Sequence, residues 1–130
     1  MEQPEVVMEG VELPEARPEI AAALRSLSDV AYQQRAWIRR MPASHDPVGD
    51  LTMTFNLLYD HYRVLADPEA ALGPVLRNDA EVAAMQRLAE ILDALIEERG
   101  WAEDGEYMAD PAWPAVVEAA GTALQEMCRR

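Results

Sequence analysis

The side chains most suited to chemistry stand together in the order Tyr59, Asp60, His61 and Tyr62. An acid beside a histidine can serve general acid–base catalysis or hold a metal ion. Neighbouring residues on a helix, however, point about 100° apart and cannot face one target. A helical metal site needs ligands three or four residues apart, and apolar residues occupy those offsets from His61. We therefore expect Asp60 and His61 to be exposed, the two tyrosines to border the core, and no metal to bind.

The other reactive side chains are isolated from one another in the sequence. His45 and Asp46 lie among prolines in a predicted loop, which would have to fold over His61 to complete a metal site. Cys128 has no histidine nearby, and no serine stands in a strand–Gly–Ser–Gly turn. The six glycines are scattered and form no phosphate-binding loop. These observations predict a protein that is not an enzyme and uses no cofactor.

An acidic cluster around a tryptophan is the best candidate for a binding surface. Its five members surround a predicted helix end and are Glu97, Glu98, Trp101, Glu103 and Asp104. Tryptophan is a frequent anchor of protein interfaces, and acids on the rim of an interface steer a basic partner toward it. We predict that these residues bind a partner. The alternative is that the acids are only solvated surface.

Three arginines near another tryptophan raise the question of a different partner. Arg35, Arg39 and Arg40 accompany Trp37, and in isolation this group could stack on a base or bind phosphate. The net charge of −13, however, opposes binding to nucleic acid. We therefore favour pairing of these arginines with the protein's own acids.

The balance of charge limits the classes of partner. Twenty-four acidic residues stand against eleven arginines, and the chain has no lysine. Such a protein repels nucleic acid and anionic membranes and attracts basic proteins, although acidity can also serve solubility alone. No apolar stretch approaches the roughly 20 residues of a membrane span, and the N-terminus is unlike a signal peptide. With one cysteine, which fits a reducing compartment, we expect a cytoplasmic protein whose oligomeric state the sequence leaves open.

The elements that must position these residues are predicted to be helices. Asp67, Asn78 and Asp110 each stand where a capping side chain would begin a helix. Gly100 ends the longest helical pattern, residues 80–99, in the place expected of a helix-terminating glycine.

These patterns together predict an all-α fold. A chain of 130 residues is expected to form one domain. We predict a compact bundle of five or six helices at residues 17–130, with loops at 41–50 and 101–110 and with Trp113 in the core. A flexible acidic arm is predicted at residues 1–16, which are interrupted by prolines and carry five glutamates.

One segment carries signals for both strand and helix. Residues 51–57 alternate between apolar and polar side chains, as a half-buried strand does. A helical stripe of apolar residues runs further than this alternation, which favours a helix. The stripe consists of Leu51, Phe55, Leu58, Tyr62 and Leu65.

Four stretches resemble a known group of proteins. They are 24-LRSLSDVAYQQRAW-37, 57-LLYD-60, 64-VLADPEAALGPVL-76 and 107-YMADPAWPAVVEAA-120. Through them the chain is similar, over residues 18–125, to a family of short actinobacterial proteins with no assigned activity. The resemblance implies a soluble bacterial protein and no catalytic residue. In that family a second acid commonly follows the position of Asp60, whereas this chain has His61, so the resemblance does not support a cation site of paired acids.

These observations favour interaction over catalysis. The leading hypothesis is a non-enzymatic acidic domain that binds a basic protein, such as an immunity protein or an inhibitor, because acid on a rigid surface both steers association and blocks a cationic site. The alternative is a small-ligand-binding protein or a regulatory subunit of a larger complex, which would show an enclosed apolar pocket with few polar groups.

Overall fold

The computed structural model describes residues 6–35, 51–100 and 104–129. Within these ranges the chain forms seven α-helices and no strand, which confirms the predicted all-α fold. The prediction was five or six helices, so the structure has one more than expected. The helices are α1 (Arg17–Ser28), α2 (Val30–Gln33), α3 (Leu51–Phe55), α4 (Pro68–Ala71), α5 (Asp79–Arg99), α6 (Asp104–Ala109) and α7 (Trp113–Cys128). No helix in the described ranges is both long and apolar enough to cross a bilayer.

Helix α7 forms the centre of the bundle, because it packs against both α1 and α5. Helix α7 packs on α1 at Gly121, where an added Cβ atom would lie 3.8 Å from the Cβ atom of Ser28, an ordinary van der Waals contact that an alanine could make. The three helices bury apolar side chains against one another. The most enclosed of these are Ile20, Leu24, Leu27, Met85, Leu88, Leu92, Val116, Ala120 and Met127.

Helix α5 ends at the predicted residue and begins one residue earlier than predicted, at Asp79. The Asn78 side chain accepts a hydrogen bond of 2.9 Å from the backbone N–H of Glu81, which satisfies one of the free donors at the helix start. At the other end, Gly100 adopts a φ of 58° and donates from its N–H to the Ile96 carbonyl at 2.7 Å. The left-handed backbone at this position favours glycine, which explains why the helix ends here.

The ambiguous segment is helical. Helix α3 continues into a π-helix at Asn56–His61, in which the Tyr62 N–H donates to the Leu57 carbonyl five residues earlier at 3.0 Å. Leu51 and Leu58 of the predicted stripe are buried, so the burial pattern follows the helical period and the strand alternative is wrong. The helix ends before the predicted stripe does, and the left-handed φ of 58° at Arg63 turns the chain away.

The prediction of a loop at 101–110 is wrong for its described part. Residues 104–109 form α6, and Tyr107 on this helix is buried. The predicted cap at Asp110 lies just outside α7. Its carboxylate accepts from the Ala112 N–H at 2.8 Å, and α7 begins at the next residue, Trp113. The predicted core position of Trp113 is confirmed, since the side chain is 3 % exposed.

The predicted flexible arm is not confirmed. In its described part, the Val7 N–H donates to the Met127 carbonyl at 2.9 Å, and the Val7 side chain is buried. The N–H of Glu12 donates to the Gly73 carbonyl at 2.9 Å. Residues 6–16 therefore lie against the helical bundle, and residues 1–5 lie outside the described ranges.

A buried arginine joins four parts of the chain. The Arg17 guanidinium is fully buried and donates two hydrogen bonds of 2.9 Å to the Glu81 carboxylate. It also donates to the backbone carbonyls of Val7, Val75 (2.7 Å) and Met127 (3.1 Å). These contacts link the N-terminal segment, the turn before α5, the first turn of α5 and the end of α7. A buried charge is tolerated when it is paired and hydrogen-bonded in this way.

A second arginine completes this network. The Arg77 Nε donates to Glu81 at 2.7 Å, and its backbone N–H donates to the same carboxylate at 2.8 Å. Its guanidinium also reaches the carbonyls of Glu126 (3.1 Å) and Arg129 (2.6 Å) at the end of α7. Burial alone would raise the pKa of Glu81, but the hydrogen bonds from Arg17 and Arg77 outweigh burial and hold that pKa below its ordinary value.

Several predictions from the sequence fall outside the described ranges. They are the loop at 41–50 and the arginine group at Arg39 and Arg40. Arg35, which belongs to that group, is exposed at the end of a described range.

Candidate functional site

A cleft of about 630 Å³ opens between three helical segments. One wall is α3 with the π-helix that follows it, another is the C-terminal half of α5, and the third is α6. We call it the acidic cleft. It is lined by Leu51, Thr52, Phe55, Asn56, Tyr59, Asp60, Asp93, Ile96, Glu97, Gly100, Asp104 and Tyr107.

The spacing of the lining residues follows from the helices that carry them. Leu51, Phe55 and Tyr59 are four residues apart and form one ridge along α3 and the π-helix. Asp93 and Glu97 are also four residues apart and form a facing ridge on α5. Side chains four residues apart lie on the same face of a helix, so each ridge presents all its members to the cleft.

The apolar side of the cleft is aromatic. The ring of Phe55 meets the ring of Tyr59 edge to face at a centroid distance of 6.2 Å and an interplanar angle of 86°. It meets the ring of Tyr107 in the same manner at 5.7 Å and 79°. Such edge-to-face contacts stabilise an aromatic cluster beyond the burial of its surface. Three rings from two walls therefore hold α6 against the π-helix.

Both tyrosine hydroxyls of this cluster are engaged. The Tyr59 hydroxyl donates to Asp93 Oδ1 at 2.7 Å, and the Tyr107 hydroxyl donates to the Gly100 carbonyl at 2.6 Å. Burial raises the pKa of Tyr59 well above its ordinary value, and the hydrogen bond to Asp93 and the charge of that carboxylate raise it further. At neutral pH the Tyr59 hydroxyl is therefore a neutral hydrogen-bond donor.

A neighbouring tyrosine is perturbed in the same direction. The Tyr62 hydroxyl donates to the carboxylate of Glu19 on α1. Burial, followed by this hydrogen bond and the charge of Glu19, raises the pKa of Tyr62 to about 12. Both tyrosines thus hold the π-helix to an adjacent helix through a neutral hydroxyl.

These raised pKa values predict a loss of stability at alkaline pH. A group whose pKa is higher in the folded state stabilises the fold fully below its unfolded-state pKa, here 10.0, and the contribution disappears as pH rises through the folded-state value. We expect the free energy of unfolding to fall above pH 10, with a smaller fall in Tyr59→Phe. Urea denaturation across this range would measure it. Equal slopes for the two proteins would contradict the assignment to Tyr59.

The charged residues that line the described part of the cleft all carry negative charge. Four carboxylates, from Asp60, Asp93, Glu97 and Asp104, line it without an arginine or histidine among the described lining residues. Asp60 and Glu97 are exposed, and neither forms a hydrogen bond or an ion pair within the described ranges. Carboxylates held on separate helices around an apolar floor attract a cation more strongly than scattered surface acids do, because the walls exclude water.

The structure describes three of the five predicted binding residues. Glu97 and Asp104 line the acidic cleft, whereas Glu98 is exposed and does not line it. Trp101 and Glu103 lie outside the described residues. Their role in binding a partner stays a prediction.

The remaining lining residues were not predicted as site residues. The aromatic residues Phe55 and Tyr107 and the acid Asp93 lie on helices whose mutual packing the sequence does not reveal. The four-residue spacing of Asp93 and Glu97 was the available signal, since it places both carboxylates on one helix face.

The group at positions 59–62 adopts the predicted arrangement. Asp60 and His61 are exposed, and Tyr59 and Tyr62 are partly buried against the core. The His61 ring meets the Tyr62 ring edge to face at 4.4 Å. Within the described ranges, no three acids, histidines or cysteines lie close enough to form a metal site. Burial raises the pKa of the Cys128 thiol, which makes it less reactive.

A second groove of similar size has a different character. It measures about 640 Å³ and lies between α1 and α7. Its lining combines an arginine, Arg25, with the acids Asp29 and Glu118 and the thiol of Cys128. Because both signs of charge are present, this groove has no clear preference for one class of ligand, and the acidic cleft is the better candidate site.

Comparison with known proteins gives one match. No curated protein and no solved structure matches the chain. The sequence model of a family described as a domain of unknown function (DUF7945) matches residues 11–130. This match covers α1 through α7 and therefore every described residue of the acidic cleft. The protein belongs to the DUF7945 family.

Proposed function

We propose that the protein is a non-enzymatic acidic interaction domain that binds a basic protein through the face that carries the acidic cleft. An immunity protein or an inhibitor of a basic partner is the form of this function that we favour. The observation that carries the proposal is the cleft itself, where Asp60 and Glu97 have no cationic partner among the described residues and lie beside aromatic walls.

The use of the arginines supports the proposal. Four ion pairs within the described ranges engage Arg17, Arg77, Arg99 and Arg129. Three carboxylates, those of Glu81, Asp110 and Glu126, receive these four arginines. At Glu81 two arginines, Arg17 and Arg77, share one buried carboxylate, so these two cations are not available to offset the charge of the acidic cleft.

An acidic face of this kind suits a protein that must find a basic target quickly. Complementary charge raises the rate of encounter by roughly 10- to 1000-fold at low salt. A carboxylate-lined cleft can also cover the cationic site of a nuclease or toxin. The cationic site attracts the carboxylates of this protein and repels proteins that are themselves basic.

The setting of the protein is part of the proposal. An alanine-rich chain without lysine is consistent with the actinobacterial origin that the sequence resemblance implies. The single cysteine and the charge of the chain favour a cytoplasmic location.

A small cationic ligand is the second candidate. The volume of the acidic cleft, about 630 Å³, is within the range of roughly 300–1,000 Å³ that small-molecule sites occupy. Its aromatic walls also fit such a site. The open rim and the number of exposed acids favour a protein partner, which would cover the rim as well as fill the cleft.

Neutralising the predicted binding residues should slow association with the partner. The change is Glu97→Gln, Glu98→Gln, Glu103→Gln and Asp104→Asn in one variant. We expect the variant to associate with the partner captured from the native host about tenfold or more slowly than the wild type does. The association rate of the wild type should also fall steeply as salt rises, since exposed charges are screened over about 8 Å at physiological ionic strength. The dissociation rate should change less. Surface plasmon resonance would measure both.

A matched variant separates location from net charge. Glu12, Glu69, Glu90 and Glu118 are exposed and lie away from the acidic cleft, so changing all four to glutamine alters the net charge equally. This control should keep most of the association rate. A captured protein that binds all three forms equally and ignores salt would show that the acidity serves only solubility.

A further inference from the structure

The charged groups that the acidic cleft offers a ligand are all acceptors. The hydroxyl protons of Tyr59 and Tyr107 are already donated to Asp93 and to the Gly100 carbonyl. The cleft also contains a hydroxyl and an amide, on Thr52 and Asn56, which can both donate and accept. Since all four charged groups among the described lining residues are carboxylates, a ligand that matches the cleft brings N–H donors and a positive charge.

Two carboxylates are available to receive those donors. Asp60 stands on the π-helix and Glu97 on α5, so they line the cleft from different walls. Both are exposed, and neither is engaged by another described residue. A cation with several donors in one plane could reach both walls, whereas a point charge would favour one of them.

The arrangement suits a guanidinium better than an ammonium or a metal ion. A guanidinium is planar, carries five N–H donors, pairs with carboxylates in a forked geometry and stacks on aromatic rings. An ammonium is a compact charge that holds its water more tightly. The carboxylates of the cleft do not converge as metal ligands in the described ranges.

Resting on the proposed function, we infer that the acidic cleft receives an arginine side chain of the basic partner, together with an apolar residue beside it. The guanidinium lies between Asp60 and Glu97, and its flat face lies on the aromatic cluster that contains Phe55. The volume of about 630 Å³ is larger than one side chain requires, which is why the neighbouring apolar residue enters with it.

Short peptides test this inference without knowledge of the partner. The probe is N-acetyl-leucyl-arginine amide, titrated into the isotopically labelled full chain and followed by NMR. We expect a dissociation constant on the order of 1 mM, as befits so small a ligand, with shifts at Phe55, Tyr59 and Glu97. The citrulline analogue has the same shape without the charge and should bind at least about tenfold more weakly, as should the lysine analogue.

Two matched variants locate the binding. The double variant Asp60→Asn and Glu97→Gln should lose the arginine peptide. The control Glu12→Gln and Glu90→Gln changes the net charge equally at exposed positions outside the cleft and should retain it. Because all four changes are close in shape and lie on the surface, each variant should keep the spectrum of the folded wild type.

Several results would overturn the inference. Equal binding of the citrulline or lysine peptide would remove the preference for a guanidinium. Shifts confined to other surfaces would remove the cleft as the site. If the arginine peptide binds the cleft only in the Trp101→Ala variant, Trp101 of this chain, rather than a partner, would be the occupant of the cleft.

The inference and the proposed function can fail separately. If the arginine peptide ignores the cleft while the captured basic partner still depends on Glu97 and Asp104, the inference fails and the proposed function stands. If the peptide binds the cleft as expected but capture yields no basic protein that depends on these acids, the proposed function fails and the cleft is a site for a small cation.

Discussion

Replacing Glu81 with alanine should lower the free energy of unfolding by about 3–5 kcal/mol, the usual effect of removing one partner from a buried ion pair. The change would leave the Arg17 guanidinium fully buried without its carboxylate. It would also remove the acceptor of Arg77, which ties the end of α7 to the start of α5. Urea denaturation followed by circular dichroism would measure the loss.

An exposed glutamate on the same helix provides the control. Glu90→Ala should change the free energy of unfolding by less than about 0.5 kcal/mol, because no described residue pairs with this side chain. Similar losses for Glu81→Ala and Glu90→Ala would show that the buried network contributes little to stability.

The same network predicts the behaviour of the protein in acid. The folded-state pKa of Glu81 is below its ordinary value of 4.5, because hydrogen bonds from Arg17 and Arg77 outweigh the effect of burial. Its contribution to stability is therefore fully present above pH 4.5 and is lost as pH falls through the lower folded-state value. The Glu81→Ala variant should lack this part of the acid dependence.

Replacing Trp113 with alanine should cost about 3–5 kcal/mol of unfolding free energy, as for other buried tryptophans. The side chain is 3 % exposed at the start of α7, and its indole N–H donates to Gln33 Oε1 at 3.0 Å. The alanine variant would leave a cavity and would deprive the buried Gln33 side chain of a donor. Thermal and urea unfolding would measure the cost.

A conservative variant divides this effect into its parts. Trp113→Phe keeps most of the apolar volume but removes the indole N–H, so it should cost about 1–3 kcal/mol. The Gln33 amide would keep its donated bonds to the carbonyls of Ser26 (2.8 Å) and Leu27 (2.9 Å). Equal losses for the alanine and phenylalanine variants would show that the hydrogen bond, rather than packing, accounts for the role of Trp113.

The sequence predicted best what depends on neighbouring residues. The caps at Asp67 and Asn78 accept the expected backbone N–H bonds, and Gly100 ends α5 with a left-handed backbone. The helical stripe from Leu51 was predicted because its period is local. Each of these features is decided within about one helical turn.

Features that depend on distant contacts could not be predicted from the sequence. Residues 104–109 contain a glycine and two acids, which favour a loop, yet Tyr107 packs on Phe55 and this tertiary contact accompanies a helix. Likewise, no role was predicted for Arg17, because nothing near it in the sequence indicates that Glu81 lies beside it. The acidic cleft depends on three such packings and was therefore anticipated only at Glu97 and Asp104.

The contacts of Arg17 also constrain how the chain can fold. Its guanidinium joins Glu81, 64 residues away, and the Met127 carbonyl, 110 residues away. Closing such large loops costs chain entropy before the favourable energy of the contact is gained. Chains rich in distant contacts therefore fold more slowly. The Met127 carbonyl is synthesised after Val75 and Glu81, so the complete set of acceptors can form only when the chain is nearly finished. Until then, burial of the Arg17 guanidinium would leave part of its donors unpaired, which disfavours closing the core around it.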